Sequence, residues 1–224
     1  DYDVTGHTMS DRAETVLYNL IRGTGTDGLG TLVQSRLLDS AQPSVQLVRP
    51  LLEFTRQDTA SVCHEQQLPI WEDSTNQDLH FRRNRIRQDL LPYLSEHFNP
   101  QVEKALAQIA VIAAAETDYL IAQSSVLFEQ CVAKQSDTVW VIERRILNQA
   151  PLALQRRVVR QLLQTVISQP IHFLQIENLI ALLAAPNGSR SDPYPNGWAA
   201  QVKDPWVMLT LTKPYEQSHT NSSI

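Results

Sequence analysis

Tyr2-Asp3-Val4-Thr5-Gly6-His7-Thr8-Met9-Ser10-Asp11-Arg12-Ala13-Glu14-Thr15 is the stretch that decides the fold class. Tyr2 to Gly6 reads as the end of a buried strand. It runs directly into a helix that carries Val16, Leu17, Leu20 and Ile21 at helical spacing and stops at Gly23. Ser10 is the expected N-cap, with Asp11 and Glu14 in the first turn, where carboxylates suit the positive end of the helix dipole. A domain rarely opens on half of a strand–helix unit, and residue 1 is Asp rather than Met. An amino-terminal portion ahead of this chain is therefore expected.

Working outward, Gly23-Thr24-Gly25-Thr26-Asp27-Gly28 reads as a glycine-punctuated loop, and Val45 to Leu52 as a strand up to Pro50. Thr55 can cap a second helix that carries Val62 and Cys63 and ends near Gln67; Pro69 to Asp78 is then a polar loop holding Trp71. Strand, helix, loop, strand, helix is the order of the second half of a parallel α/β sheet. From Arg82 to Val132 helical spacing dominates, broken at Asn99-Pro100, which gives one short and one long helix. Gln135 to Asp137 reads as a turn and Val139 to Ile142 as a short strand. Pro151 opens a helix through Ile167, and Phe173 to Leu183 is helical. Pro186 to Gly197 is a long turn, Ala199–Val202 and Trp206–Leu211 a terminal hairpin, and the tail from Lys213 a disordered end. The expected fold is a truncated α/β domain followed by a mainly α-helical domain with a small terminal β-hairpin, mostly α overall.

A net charge of −5 argues against a protein that coats nucleic acid non-specifically, so contacts with nucleic acid must come from local clusters. Two cysteines, Cys63 and Cys131, fit no zinc or Cys-x-x-Cys spacing, and a reducing compartment is the simplest reading. No uninterrupted run of about 18 apolar residues occurs and the start has no signal-peptide character, which points to a cytoplasmic protein with no membrane partner.

Three constellations carry chemistry. His7 at the carboxyl end of a strand, with Asp11 and Glu14 on one face of the next helix, could hold an ammonium group, a metal or a polar substrate edge. Spacing alone favours a plainer account, a solvated capped helix start with a turn histidine. Arg22-Gly23-Thr24-Gly25 with Gly28 could bring backbone amides close to a phosphate or sugar, although a helix C-cap explains the same glycines. Phe81-Arg82-Arg83-Asn84-Arg85-Ile86-Arg87 follows the acidic, amide-rich loop Trp71 to Asp78. The arginines suit phosphate recognition, and equally suit pairing with Asp73, Asp78 and Asp89. A smaller basic group, Arg144-Arg145 with Arg156, Arg157 and Arg160, reads as a solvated helix face. No metal-ligand spacing is present in the sequence.

Taken together, Gly6 to Thr15, Arg22-Gly23-Thr24-Gly25 with Gly28-Leu29, Arg49-Pro50-Leu51-Leu52, Trp71-x-Asp73 with Asn76-x-Asp78, and Arg83-Asn84-Arg85-Ile86-Arg87 resemble the tRNA(Ile)-lysidine synthase family of PP-loop ATP pyrophosphatases. Pro151 to Arg157 and Asn196 to Leu211 resemble its helical tRNA-contacting domain more loosely. The resemblance implies residues 1–82 as the remainder of a Rossmann-like, adenine nucleotide alpha hydrolase-type domain, 83–134 as a helical linker, 135–212 as a tRNA-contacting domain and 213–224 as a tail. The activity it implies is ATP-dependent ligation of free lysine to C2 of the wobble cytidine 34 of tRNA(Ile) with a CAU anticodon, through an adenylated intermediate. ATP with Mg2+, free lysine and the tRNA are the implied reactants, and a homodimer is left open.

Under that resemblance His7, Asp11 and Glu14 are the expected catalytic residues, with the two acids on the lysine ammonium. Arg22, Gly23, Gly25, Asp73, Asn76, Arg83, Asn84, Arg85 and Arg87 are the expected substrate contacts. Two departures stand out. The family's Ser-Gly-Gly-x-Asp-Ser loop lies upstream of this chain's first residue, and Ser10-Asp11 stands where the family usually has two acids. A catalytically inactive fragment that binds tRNA is the alternative, with steeply salt-dependent binding and no ATP turnover. A tRNA-thiolating relative would need reactive cysteines, which the helical settings of Cys63 and Cys131 argue against.

Overall fold

The computed structural model describes residues 1–39, 42–71, 75 and 78–212. They form two compact units, Asp1–Asp118 and the remainder from Tyr119.

In the first unit, β1 (Tyr2–Val4) leads into α1 (Met9–Arg22). The N-cap is Thr8, two residues before the expected Ser10. Thr8 and Asp11 close a capping box: the Asp11 amide donates to Thr8 Oγ1 (3.4 Å) and Asp11 Oδ2 accepts from the Thr8 amide (2.9 Å). The acid three residues after Thr8 was the signal for this; no acid stands three residues after Ser10. The helix ends at Gly23, whose φ of +80° is strained for any residue with a Cβ.

Part of the loop expected at Gly23–Gly28 is helical, in α2 (Thr26–Leu29), and β2 (Ser35–Asp39) follows where no element was expected. Ser35-Arg36-Leu37-Leu38-Asp39 lacks an apolar alternation and was not legible as a strand. The sheet order is β1-β3-β2, with β3 (Gln42–Val48) parallel to β1 and antiparallel to β2. The sheet is thus mixed rather than purely parallel, because β2 and β3 are neighbours in sequence and can pair without a crossover. Two buried arginines secure the segment before β2: Arg12 donates to the Leu32 carbonyl (2.9 Å) and Arg49 to that of Val33 (2.9 Å).

Helix α3 (Arg56–Glu65) begins with Thr55 and Asp58 in a second capping box. Since β1 and β3 are adjacent and parallel, the helices that follow them start on the same rim. The Met9 amide donates to the Phe54 carbonyl there (2.8 Å). After the undescribed positions around 72–77, α4 (Arg82–Arg85) continues through a π turn (Ile86–Leu90) into α5 (Leu91–His97). Pro92 cannot extend the ordinary ladder, and the turn before it widens. Leu17, Ile86 and Leu91 are the buried centre of this packing, flanked by Tyr18, Leu90, Leu94, Val102 and Leu106.

Helix α6 (Val102–Cys131) runs from the first unit into the second. By length and composition it is apolar enough to cross a membrane, although Glu103, Glu116, Asp118 and Glu129 punctuate it and Ala107, Ala110 and Ala113 are buried.

The second unit is more than helices and a hairpin. Strands β4 (Val132–Ser136), β5 (Val139–Glu143), β6 (Trp198–Lys203) and β7 (Trp206–Leu211) form one antiparallel sheet in the order β4-β5-β7-β6. With it come α7 (Arg144–Gln149), α8 (Leu152–Val166) and α9 (Phe173–Ala181). The expected β6–β7 hairpin exists, but β7 also pairs with β5 along Val139↔Thr210 to Glu143↔Trp206. β4 was missed because Val132-Ala133 continue the apolar pattern of α6 without a breaker. Ile142, Val158, Val159, Leu162, Leu163, Leu179, Val207 and Leu209 are fully buried between helices and sheet. The tail expected from Lys213 lies outside the described residues.

Candidate active site

The rim where α1 and α3 start gathers charged residues from three parts of the chain. Glu14, one turn into α1, is buried to 1% exposure. Its carboxylate accepts two hydrogen bonds from Arg87, at 2.7 Å from Nε and 2.9 Å from Nη2, the bidentate geometry a guanidinium suits. Arg83 adds a third, Nε to Oε2 at 3.2 Å, and Arg56 Nη1 lies 3.6 Å from Oε1. Asp11 spends Oδ2 on the Thr8 cap and takes Arg56 Nη2 on Oδ1 at 2.8 Å. Arg83 and Arg87 are within 3.9 Å of the same Oδ1.

The electrostatics follow from this contact set. Burial pushes the Asp11 carboxyl up, but the backbone and hydroxyl bonds from Thr8 and the charges of Arg56 and Arg83 outweigh it, so its pKa falls below the ordinary aspartate value. The hydrogen bond to Glu14 lifts the pKa of Arg87 against its own desolvation. Two carboxylates against three guanidinium groups leave one positive charge, beside the positive ends of two helix dipoles. Arg83 stays 45% exposed and Arg56 42% exposed, so this charge is open to solvent. A rim of this kind attracts phosphate. Each carboxylate oxygen of Asp11 and Glu14 already accepts from the chain itself, so the pair does not present an open oxygen set for Mg2+.

Arg56 is a member of this cluster that sequence reasoning missed. A lone arginine in the first turn of a helix opposes the dipole, and that misplacement was the available clue to a carboxylate partner. Ser10 is the second: its hydroxyl donates to Glu103 Oε2 at 2.7 Å and accepts from the Arg56 amide at 3.1 Å, joining α1, α3 and α6. His7 sits at the rim with Nδ1 2.9 Å from Thr5 Oγ1.

The other expected site residues fall elsewhere. Arg22, Gly23 and Gly25 lie at the far end of α1, about 16 Å along the axis from Asp11 at 1.5 Å per residue. The Gly23 amide is spent on Leu20. Asn84 is buried, and its amide nitrogen donates to the carbonyls of Thr75 and Asp78, a scaffold contact for the loop before α4. Arg85 turns away from Glu14 toward a cleft it shares with Arg22. Asp73 and Asn76 lie outside the described residues. In the second unit Arg144 holds the Leu183 and Ala185 carbonyls and Arg156 pairs with Glu177 at 2.8 Å, so these two serve the scaffold.

A family model described as a PP-loop domain matches residues 2–94, the span that builds this rim. A protein of Nostoc sp. named tRNA(Ile)-lysidine synthase is 50% identical over 219 residues, covering 93% of this chain. The chain belongs to the tRNA(Ile)-lysidine synthase family. A Synechocystis relative of the same name is 46% identical over 89% of the chain, and one from Thermosynechococcus vestitus 43% over 94%. The matches run past residue 94 and take in the second unit, so the whole described fold belongs to the lysidine synthase family and not only its PP-loop part. The chain spans about six tenths of the length of these lysidine synthases, at 63%, 61% and 59%.

Proposed function

We propose that this chain is part of a cytoplasmic carbon–nitrogen ligase that uses ATP to attach lysine to the wobble cytidine of an isoleucine tRNA with a CAU anticodon. The observation that carries this reading is the open, net-positive cluster of Arg56, Arg83 and Arg87, held in place by Asp11 and Glu14 at the carboxyl rim of two parallel strands. That rim is where open α/β sheets bind ligands.

In the reaction, O2 of the cytidine attacks the α-phosphorus of ATP, a P–O bond forms, and pyrophosphate leaves. The amine of free lysine then attacks C2, the C2–O bond breaks with AMP as leaving group, and the amine loses a proton. Both steps build negative charge on phosphate oxygens, and preorganised guanidinium groups stabilise such charge without rearranging. Asp11 and Glu14 are read here chiefly as the groups that aim the arginines, with the lysine ammonium meeting Asp11, the more exposed of the two. His7 stands at the same rim, with Nδ1 engaged by Thr5, which leaves Nε2 as the ring nitrogen for the reacting base. Mg2+ enters with the ATP phosphates rather than on this carboxylate pair. Free lysine and the tRNA are the partners this reading requires, and it does not require a homodimer.

The test is lysine- and ATP-dependent modification of unmodified CAU-anticodon isoleucine tRNA, by this chain alone and joined to the amino-terminal part of the Nostoc relative. Activity in the joined form supports the reading. No activity in either, with tRNA binding intact, replaces it with an inactive tRNA-binding module. In the active form, Glu14→Gln should lower kcat with little change in KM for lysine if Glu14 positions arginines; a rise confined to the lysine KM would make it an ammonium ligand instead.

A further inference from the structure

The arginine-rich motif is split between two faces. Arg83 and Arg87, one helical turn apart, point to Glu14. Arg82, Arg85, Asp89 and Tyr93 share a neighbouring face, which lines an open cleft of about 610 Å³ against Tyr18 and Arg22 of α1. A second cleft of about 500 Å³ meets the first at Tyr18 and Arg82. Arg82 and Arg85 have no hydrogen-bond or ion-pair partner among the described residues, in contrast to Arg83 and Arg87. The Arg22 guanidinium lies over the Tyr18 ring, 5.2 Å from its centre, and Tyr93 is half exposed at the other side.

Two unpaired guanidinium groups next to aromatic planes in a cleft of ligand size are the elements that bind an unpaired nucleotide, phosphate on arginine and base on ring. Asp89 adds an acceptor suited to the amino or imino donors of a base edge. A polyphosphate is a poorer fit, since the nearby Gly23 amide is already bonded and offers no cradle. Resting on the function proposed above, we propose that this cleft seats an unpaired ribonucleotide of the tRNA other than the one being modified. Its phosphate lies on Arg82 and Arg85 and its base among Tyr18, Tyr93 and Arg22. The cleft would thereby anchor the loop while the reacting base reaches the rim of Asp11.

The experiment is fluorescence-anisotropy binding of an anticodon stem–loop RNA with a CAU loop to the 224-residue chain, at several salt concentrations, beside a duplex RNA of the same stem. For Arg82→Gln/Arg85→Gln we expect a loss on the order of tenfold for the stem–loop and a salt slope smaller by about 1.4, two single-strand phosphate contacts at about 0.7 each. Tyr93→Ala should weaken stem–loop binding by a similar factor with the slope unchanged, and leave duplex binding as it was. Both sites are on the surface, and circular dichroism confirms that the variants fold. Unchanged stem–loop affinity in these variants, or equal losses for stem–loop and duplex, overturns the nucleotide cleft and leaves the proposed function standing. Failure of the wild-type chain to bind either RNA would instead count against the functional reading, and the cleft proposal would fall with it.

Discussion

Asp11 couples the site to folding. Its pKa is depressed in the folded chain, so the stabilisation it contributes is fully present above the unfolded value of about 3.9 and is lost as pH falls through the lower folded value. Urea unfolding of the chain and of Asp11→Asn should therefore differ at pH 7, where the wild type is the more stable, and converge as the pH drops below about 4. A constant difference across that range would show that Asp11 acts by packing and not by charge. Thr8 and Asp11 are ordinary residues for a helix start, and Arg56 is an unfavourable one. What makes them a site is that the carboxylate that caps α1 also takes an arginine 45 positions away.

At the scale of elements, the close approach of the segment after α2 to α6 is a sharp constraint. A Cβ on Gly30 would stand 2.8 Å from the Ala114 Cα and amide nitrogen, backbone atoms that cannot rotate away. Gly30→Ala should cost about 1–3 kcal/mol, read as a lower thermal midpoint of the whole chain, with α-helical content at low temperature unchanged. Equal stability would mean that α6 can slide on this segment. The elements differ in how legible they were. Helix α3 announced itself by its Thr55 cap and α1, α8 and α9 by their apolar period, with boundaries off by one or two residues and the α1 cap at Thr8 rather than Ser10. β2 and β4 did not, since one lacks alternation and the other follows a helix with no breaker between them. Their existence is decided by the partners β3 and β5.

Across the molecule, the larger buried apolar core lies in the second unit, where sheet and helices pack with no exposed side chain at Leu162, Leu163 or Leu179. Leu163→Ala should destabilise by about 2–5 kcal/mol. Three of the four tryptophans, Trp140, Trp198 and Trp206, belong to this unit, so their fluorescence should report the earlier unfolding. An unaltered midpoint would show that this core can close around the cavity. Composition, the Thr55 cap, the basic motif at Phe81 to Arg87 and the resemblance to a family of tRNA-modifying ligases could all be read from the chain alone, because each is a property of neighbouring residues. Which arginine faces a carboxylate and which faces a cleft was settled only by the tertiary structure. Glu14 and Arg87 are 73 positions apart, and Arg56 joins them only because β1 and β3 pair in parallel and start their helices on one rim, a long-range arrangement that no local pattern encodes.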